Sequence, residues 1–416
     1  MVTQHRAAVS AEVDDLLVSD HMLTDPYPVY ARLRQAGEPL WSEAWRAWVV
    51  SRYDDVAASL QDERLSNEHR QELLFSGLTD DERTRLEPLR HYFGEKDIIG
   101  SDPPDHVWMR AIVQKTFTPR VVESLTDRIR GVTLDAVRAA INSSPPFDFV
   151  RHVAHPVPVT VIAELLGAPV EARPLFRRWS AEILGFQGTG RTSFDLASTA
   201  QTSLLEMFAF MSTLVDERKV APRDDLITAL AAAESDSRRL SRDQLLATCN
   251  TLLTAGHETT TNLIGNLLHL LLRDPTVWDR MREDRSLIAS AIEEALRFDA
   301  PKQRNFRRVR EAHQFSGSDF AEGEMVFQLI GSANRDPDAF RDPDTFDLTR
   351  GRSNHLALGK GIHFCLGAAL ARLEARIVLE TLLDEVPGIR LESTDFTWQQ
   401  RVQFRGPGEL WLNRDP

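Results

Sequence analysis

One of the two cysteines in this 416-residue chain lies in a setting suited to holding a metal. Cys365 ends the segment Leu358-Gly-Lys-Gly-Ile-His-Phe-Cys365, and Leu and Gly367 follow it before a predicted helix. Backbone N–H groups and the positive end of a helix dipole favour a thiolate at such a position. The glycines let the backbone wrap closely around the sulfur. A buried structural cysteine is the alternative, but that role requires neither a glycine pair nor the nearby His363.

The middle of a long helical pattern, residues 241–273, carries a second candidate, the segment Ala255-Gly-His-Glu-Thr259. Glycine in a helix interior is unfavourable by about 1 kcal/mol relative to alanine, which indicates that Gly256 makes room for something. Glu258 and Thr259 supply an ionisable acid and a hydroxyl, the parts of a proton relay. A tight crossing between two helices explains the glycine equally well.

Two weaker signals are pairs of charged residues at helical spacing. His106 and Arg110 are four residues apart and follow Asp102-Pro-Pro, so both side chains face one side of a helix. Together they suit a carboxylate or a phosphate. Glu294 and Arg297 form an i,i+3 ion pair of a kind usually found on solvated surfaces. Taken alone, each pair is better explained as a solvated helix face.

Two other motifs are excluded by their spacing. His257-Glu258 begins like a zinc-protease motif, but Thr261 occupies the position of the required second histidine. Gly359-Lys-Gly361 begins like a dinucleotide-binding fingerprint, but Phe364 replaces the third glycine and no predicted strand precedes it.

The elements that must position these residues are mainly helical. The periodicity predicts helices over 26–36, 54–61, 105–117, 119–141, 157–167, 171–185, 241–273, 276–283, 286–298 and 366–385. A strand is predicted over 45–51, and short strands over 303–331. A long, partly helical loop is predicted over 66–104, and further loops over 185–193 and 334–361. No linker or repeat divides the chain, so we predict one domain over residues 1–416, mainly α with a minor β region.

Composition narrows the class of protein. The chain has 42% hydrophobic residues, too many for a disordered protein. Its 49 Lys+Arg against 62 Asp+Glu leave a net charge of −13, which argues against nucleic acid as a partner. We identify no signal peptide and no apolar stretch long enough to span a bilayer, so we expect no membrane anchor. We expect a cytoplasmic monomer with reduced thiols.

In this order and at these separations, the four signals resemble the cytochrome P450 family, the haem-thiolate monooxygenases. The resemblance extends from Asp25-Pro-Tyr-Pro through Asn334-Arg-Asp-Pro to Arg405-Gly-Pro. The cysteine segment matches the family pattern F-G-x-G-x-H-x-C-x-G except at Leu358, which stands at the first position. The resemblance, closest to the soluble bacterial branch, implies the cytochrome P450 fold. In that fold haem b lies between the long central helix and the cysteine loop.

The resemblance assigns a role to each candidate residue. It implies that Cys365 is the proximal ligand of the haem iron, with Gly367 completing the pattern beside it. The positions that bind the haem propionates correspond to His106, Arg110, His363 and Arg307. The last assignment could shift by one residue to Arg308.

On the other side of the cofactor, the resemblance implies that Ala255 and Gly256 leave space for dioxygen. Thr259 and Glu258 would then control the delivery of protons. Glu294 and Arg297 are expected to be structural and tied to Arg350 in the loop over 334–361.

The remaining chain has no predicted flavin or iron–sulfur module, so we expect electrons to pass from NAD(P)H through a separate ferredoxin reductase and ferredoxin. The segments 106–120 and 359–376 are locally basic and are expected to face an acidic donor. A solvated helix surface is the alternative explanation of these charges.

We therefore expect a monooxygenase that inserts one oxygen atom into a small, largely apolar substrate by hydroxylation or epoxidation. A peroxide-dependent peroxygenase and a non-catalytic haem-binding sensor are the alternatives. The expected pocket walls are residues 70–98, 183–200, 248–256, 301–306 and 396–402.

Overall fold

The computed structural model describes residues 8–68, 74–94, 97–143, 145–188, 193–233, 238–351, 353–394 and 396–414, and most of these are helical. The helices are α1 (Ala11–Leu17), α2 (His21–Thr24), α3 (Tyr27–Gln35), α4 (Tyr53–Ser59), α5 (Asp80–Arg85), α6 (Glu87–Gly94), α7 (Asp105–Gln114), α8 (Pro119–Ser124), α9 (Thr126–Asn142), α10 (Pro156–Leu166), α11 (Arg173–Gly188), α12 (Phe194–Val220), α13 (Leu226–Ala232), α14 (Arg242–Leu272), α15 (Pro275–Glu283), α16 (Leu287–Phe298), α17 (Ile330–Ala333) and α18 (Ala368–Glu385). A π-helical turn (Val150–Ala154) and two 3₁₀ turns (Val170–Ala172, Gly361–His363) complete the helical part.

The β region consists of short strands: β1 (Leu40–Ser42), β2 (Ala47–Val50), β3 (Leu65–Ser66), β4 (Phe147–Asp148), β5 (Asn305–Val309), β6 (His313–Phe315), β7 (Ser318–Phe320), β8 (Met325–Gln328), β9 (Ile389–Leu391) and β10 (Trp411–Arg414). They form a five-stranded sheet of order β1-β2-β8-β5-β3, a three-stranded sheet of order β4-β10-β9, and the hairpin β6-β7. In the largest sheet β2 and β8 are parallel, whereas β5 runs antiparallel to β8 and pairs Arg307 with Val326. This confirms the predicted fold class.

Helix α14 passes through the middle of the fold. It begins with the predicted capping box: the Ser241 hydroxyl accepts from the backbone N–H of Gln244 at 3.1 Å, and the Ser241 N–H donates to the Gln244 side chain at 3.0 Å. At about 1.5 Å per residue its 31 residues span about 46 Å. It packs against α10, α11, α12, α16 and α18. Cys249, in its first half, is fully buried, as expected for a core residue.

The predicted helices agree with the structure except in the first half of the chain. The helix predicted over 119–141 is two helices, because the N–H of Leu125 bonds to the carbonyl of Val122, three residues back, and tightens the turn. The predicted break over 185–193 starts too early, since α11 continues to Gly188. Residues 189–192 of that break lie outside the described residues.

A buried ion cluster fastens the long segment over 334–361 to α16. Arg297 donates to Glu294 at 2.8 and 2.7 Å, and both side chains are buried. Arg297 also donates to the backbone carbonyls of Asn334 and Pro343 at 2.9 and 2.8 Å. Arg350 completes the cluster, with its Nε 3.0 Å from Glu294. The expected tie between this pair and Arg350 is confirmed.

None of the helices in the described part of the chain is both long enough and apolar enough to cross a membrane.

Candidate functional site

A large cavity separates the middle of α14 from the loop that carries Cys365. The volume between its atoms is about 2290 Å³, including the part that opens to solvent. Ala255, Gly256 and Thr259 line one side, and Cys365 and Gly367 line the other. The structure therefore brings together the two segments that the sequence places more than a hundred residues apart.

The loop around Cys365 is held by its own backbone. The N–H of Cys365 donates to the carbonyl of Leu358 at 2.8 Å. Gly359 and Gly361 have φ angles of 73° and 71°, which side chains with a Cβ rarely adopt. Helix α18 starts three residues after the cysteine, so its first turn lies beside the sulfur. Both glycines are thus needed for the turn, as the sequence indicated.

The surroundings of Cys365 do not by themselves favour the thiolate that the sequence pattern predicts. Burial raises the pKa of the Cys365 thiol, although the backbone N–H of Gly367 and the charges of Arg110 and Arg372 act to lower it. A metal cation at the sulfur would reverse this balance, because a coordinating thiol loses its proton. The described residues contain no group of three or more His, Cys, Asp or Glu that could hold a metal ion. A haem iron would need only one ligand from the protein on this side, and the Cys365 thiolate fits that role.

A cluster of cationic side chains lies at one edge of the cavity, beside the cysteine loop. The ring centroids of His106 and His363 are 4.1 Å apart. Arg110 donates to the carbonyl of Phe364 at 2.8 Å, which joins α7 to the loop. Arg307 extends from β5 to the same place and lines the cavity with Arg110 and His363. All four predicted propionate-binding residues are thus brought together.

His106 provides a direct test of whether this cluster suits an anionic cofactor. Both of its ring nitrogens are buried, and neither has a hydrogen-bond partner among the described residues. Burial and the neighbouring Arg110 lower the pKa of His106 to about 4. Buried polar groups in proteins are normally paired, because an unpaired group is costly. Carboxylates at this position would supply the missing partner and offset the positive charges, so the residues fit the propionates of haem.

The β5 register decides between the two candidate arginines. Successive residues of a strand face opposite sides, so Arg307 and Arg308 cannot both face the cavity. Arg307 is 5% exposed and lines the cavity, whereas Arg308 extends toward Gly323, away from it. The assignment to Arg307 is therefore the one the geometry supports.

Sequence reasoning missed Asn67, which links two members of the cluster. Its side-chain oxygen accepts from Arg307, and its amide lies 2.7 Å from Nε2 of His363. Asp102 positions this residue by accepting its backbone N–H at 3.0 Å. The Asp102-Pro-Pro motif thus supports the cluster from behind. Nothing in the local sequence around Asn67 signals this role.

On the α14 side, Gly256 lies where α14 crosses α10. A close helix crossing was the alternative explanation of this glycine. A Cβ added at this glycine would lie 3.3 Å from Cγ1 of Ile162 on α10. Such a distance is tighter than ordinary van der Waals contact, so the glycine allows α10 and α14 to pack closely. Gly256 also lines the cavity next to Ala255, whose surface faces into it. The packing requirement alone explains the glycine.

Thr259 and Glu258 leave α14 in different directions. The Thr259 hydroxyl donates to the carbonyl of Ala255 at 2.8 Å and lines the cavity. Its oxygen can still accept a hydrogen bond there. Glu258 is 6% exposed and does not line the cavity. The acid and the hydroxyl are thus adjacent in sequence, but only the hydroxyl reaches the space where a ligand binds.

Glu258 is fixed by a residue that sequence reasoning did not single out. Arg401 Nη1 lies 2.5 Å from Oε1 of Glu258, and Nε2 of the buried His257 lies 4.0 Å from Oε2. Arg401 also reaches the carbonyl of Ala181 on α11 at 3.4 Å. Residues 396–402 were expected to form a pocket wall, and this was wrong for the described residues. Gln403 and Phe404 line the cavity instead.

The remaining expected walls are largely correct. The apolar lining includes Phe93, Ile98, Ile162, Ile183, Leu184, Leu252, Leu296, Phe306 and Phe404. Polar side chains interrupt it at Asp97, Gln187, Asn250, Thr251, Lys302 and Asn305. Phe75 and Phe186 were also expected there, but they are buried in the core beside the cavity.

Ion pairs reduce the basic surface predicted on the cysteine side. Arg372 donates to Glu293 at 2.5 and 2.8 Å, and Arg376 lies 3.9 Å from Glu380. The exposed cations on the two segments are Lys115, Arg120, Lys360 and Arg376. They lie on the same side of the molecule, because Arg110 bonds one segment to the other.

Comparisons with known proteins agree with this geometry. The sequence matches the family model described as Cytochrome P450 over residues 65–386. Cytochrome P450 107B1 of Saccharopolyspora erythraea is 38% identical over 414 residues, covering 96% of this chain and 98% of that protein. Cytochrome P450 monooxygenase PikC of Streptomyces venezuelae is 36% identical over 415 residues, covering 97% of this chain and 95% of that protein.

A solved structure gives the same result. The myxobacterial cytochrome P450 CYP267B1, in complex with myristic acid, has a TM-score of 0.85 and 38% identity, and the match covers 96% of this chain and 99% of that one. The chain therefore belongs to the cytochrome P450 family and is a haem-dependent monooxygenase.

Proposed function

We propose that this enzyme inserts one oxygen atom of dioxygen into a small, largely apolar substrate, with electrons from NAD(P)H delivered by a ferredoxin reductase and a ferredoxin. The observation that carries the proposal is the position of Thr259 on the cavity wall facing the Cys365 loop. A hydroxyl there can hold or pass a proton at the cavity wall, which a protein that only carries haem would not need.

On the cysteine side, the residues hold the cofactor. Cys365 would ligate the haem iron, and the cluster of His106, Arg110, Arg307 and His363 would bind its propionates. Haem bound through a thiolate supplies the electron-rich iron that favours cleavage of the O–O bond. Leu358, in place of the usual aromatic residue, still covers the cysteine loop with an apolar side chain and keeps water from the sulfur.

On the α14 side, the residues control protons. Thr259 presents its oxygen to the cavity while its own proton is held by the carbonyl of Ala255. Glu258 is one residue away, and Arg401 keeps it out of the cavity. We infer that proton delivery requires the Glu258 side chain to leave Arg401, since in the paired arrangement it does not reach the cavity.

The substrate preference follows from the lining. Aliphatic and aromatic side chains from α6, α11, α14 and the segment after α16 make up most of the wall. Burying apolar ligand surface against them is favourable by about 25 cal/mol per Å². An apolar skeleton therefore gains the most from this site.

A test of the oxygen-insertion step uses the holoenzyme with reductase, ferredoxin and NADPH under ¹⁸O₂. The wild-type enzyme should place one labelled atom in the product. Thr259→Ala should lower the product formed per NADPH about tenfold and release hydrogen peroxide instead, because a general acid–base group typically contributes a factor of 10²–10⁴. Thr261→Val is the matched control, since Thr261 neighbours the site but does not line the cavity. Unchanged coupling in Thr259→Ala would contradict the proposed proton role.

The electron-donor part has its own test. Reversing the charge of the exposed Lys115 should slow ferredoxin-driven reduction of the haem by about tenfold at low salt and weaken its salt dependence. Lys219→Glu, on the exposed face of α12, is the control. Equal rates in both variants would show that the donor does not use the basic surface on the cysteine side.

A further inference from the structure

His257, the residue before Glu258 on α14, is an imidazole that does not reach the cavity. It is fully buried and is not among the described residues that line the cavity. Its Nδ1 lies 2.6 Å from the carbonyl of Leu253, one helical turn back. A carbonyl can only accept a hydrogen bond, so Nδ1 carries the hydrogen that it donates to Leu253. In the neutral ring, Nε2 therefore has a lone pair and no hydrogen.

The second nitrogen of this ring lies beside an acid. Nε2 of His257 is buried and has no hydrogen-bond partner within the described part of the chain. It lies 4.0 Å from Oε2 of Glu258, whose other oxygen is 2.5 Å from Nη1 of Arg401. Two acceptor atoms this close do not attract each other until one of them carries a proton. A proton on Nε2 would make the contact a charge-assisted one between a donor and an acceptor.

A second imidazole connects His257 with the surface. His155 lies between the π-helical turn and α10, and its ring centroid is 5.6 Å from that of His257, with the rings nearly perpendicular. Unlike His257, it is partly exposed to solvent. The exposed Arg177 of α11 is close enough for its charge to act on the His155 ring. The two rings thus extend from the surface beside α11 to the buried Glu258.

The surroundings of the two rings favour passing a proton on over keeping it. Burial lowers the pKa of His257, against the attraction of Glu258, and Arg401 lowers it further. Burial also lowers the pKa of His155 to about 3, and the neighbouring His257 and Arg177 add to this effect. Both rings are therefore neutral near pH 7. An imidazole this weakly basic gives an arriving proton up readily to a carboxylate.

We propose that His257 passes protons to Glu258 and receives them from solvent through His155. The transfer breaks the N–H bond at Nε2 and forms an O–H bond at Oε2, which leaves a neutral imidazole and a neutral carboxylic acid. A neutral acid is no longer held to Arg401 by opposite charge, so the proton that Glu258 delivers also frees its side chain to turn toward the cavity. The inference rests on the proposed monooxygenase function and names the proton source of that site.

The test compares His257→Gln with wild type in turnover of myristic acid, the ligand of the related solved structure, by the holoenzyme with reductase, ferredoxin and NADPH. Glutamine can still donate to the Leu253 carbonyl but cannot take up a proton. The variant should form product about tenfold more slowly, less than the factor of 10²–10⁴ typical of a group at the reacting atoms, because His257 acts only through Glu258. The solvent isotope effect in D₂O should rise. The thiolate spectrum with carbon monoxide and the affinity for myristic acid should stay as in wild type.

A second histidine variant and a matched control locate the path. His155→Gln interrupts it nearer to solvent, at a partly exposed position, and should also slow product formation and raise the isotope effect. His152→Gln is the control, since His152 lies on the same π-helical turn but its Nδ1 is 2.8 Å from the carbonyl of Asp148. It should turn over like wild type.

The same substitution in a Glu258→Gln background shows whether His257 acts through the acid. There His257→Gln should change the rate by less than about twofold, because two residues that act in one path are not additive. Equal losses in the two backgrounds would overturn the inference and indicate that His257 only supports the packing of α14. A wild-type rate and isotope effect in His257→Gln, with ¹⁸O insertion by the wild-type enzyme intact, would overturn this inference alone. Absence of ¹⁸O from the wild-type product would overturn the proposed function with it.

Discussion

The two sides of the cavity are built in different ways. The turn at Cys365 is formed by contacts between near neighbours in the chain, such as the bond from the Cys365 N–H to the Leu358 carbonyl and the N–H of Gly367 at the sulfur, and the distant Arg110 and Asn67 add bonds to the same loop. The α14 side depends on distant residues. Glu258 is held by Arg401, 143 residues away, and Gly256 packs against Ile162 of α10.

This difference indicates that the proposed metal ligand and the proposed proton supply can vary independently. The turn that presents the sulfur is set by a short loop with two glycines at positive φ. The position of the acid, by contrast, depends on how the C-terminal segment and α11 pack onto α14. Changes far from the cavity can therefore alter proton delivery without disturbing the iron ligand.

The largest expected effect comes from replacing Cys365 itself. Cys365→Ser should abolish oxygen insertion, because it removes the sulfur ligand, and the carbon monoxide difference spectrum should lose its thiolate band. Cys249→Ala is the control, since that buried cysteine lies in the core of α14. A thiolate band that survives in Cys365→Ser would contradict the assignment of the ligand.

Breaking the ion pair between Glu258 and Arg401 should reduce activity less than Cys365→Ser does. Arg401→Met leaves Glu258 without its ion-pair partner, and we expect a loss of about 1–3 kcal/mol in unfolding free energy together with a severalfold fall in product per NADPH. The thiolate spectrum should stay as in wild type. If the spectrum and the coupling change together, the two sides are not independent.

Two buried carboxylates sharpen the contrast between paired and unpaired charge. Glu294 is paired with two arginines, whereas Oε2 of Glu374 in α18 is buried and has no hydrogen-bond partner in the described part of the chain. Burial raises the pKa of Glu374 to about 8. Between its usual pKa of 4.5 and about 8, the folded protein keeps this proton while the unfolded chain loses it. This group therefore lowers stability as the pH rises through that window, by about 1.4 kcal/mol per pH unit.

Glu374→Gln should remove that contribution. Compared with wild type by urea unfolding, the variant should gain relative stability steadily from pH 5 to pH 8. A constant difference between the two proteins over this range would contradict a neutral, buried Glu374.

The smallest effect is expected at the helix crossing. Gly256→Ala should change the unfolding free energy by at most about 1 kcal/mol, because the gain in helix propensity opposes the close contact with Ile162. In an Ile162→Ala background, which lacks both Cγ1 and the outer methyl group, the same substitution should be more favourable. Equal effects in the two backgrounds, measured by chemical unfolding, would show that the contact does not limit this position.

Much of the site was predictable because its signals are local. The cysteine loop, the His106–Arg110 pair and the α14 segment each depend on spacing within one turn or one helix, which periodicity and glycine placement reveal. Even the tie between Glu294 and Arg350 was expected from the resemblance. Asn67 and Arg401 were not, since a single polar residue in an extended segment has no pattern of its own.

The sequence by itself determined the helical fold class and singled out Cys365 and the basic residues near it as candidates. Hydrophobic periodicity, capping residues and glycine turns act over a few residues, so the local sequence shows them. Only the tertiary structure decided that Arg307 rather than Arg308 faces the cavity and that Arg401 restrains Glu258. These outcomes depend on strand register and on contacts between distant segments. Packing of the whole core selects that register and those contacts, and no local sequence pattern encodes them.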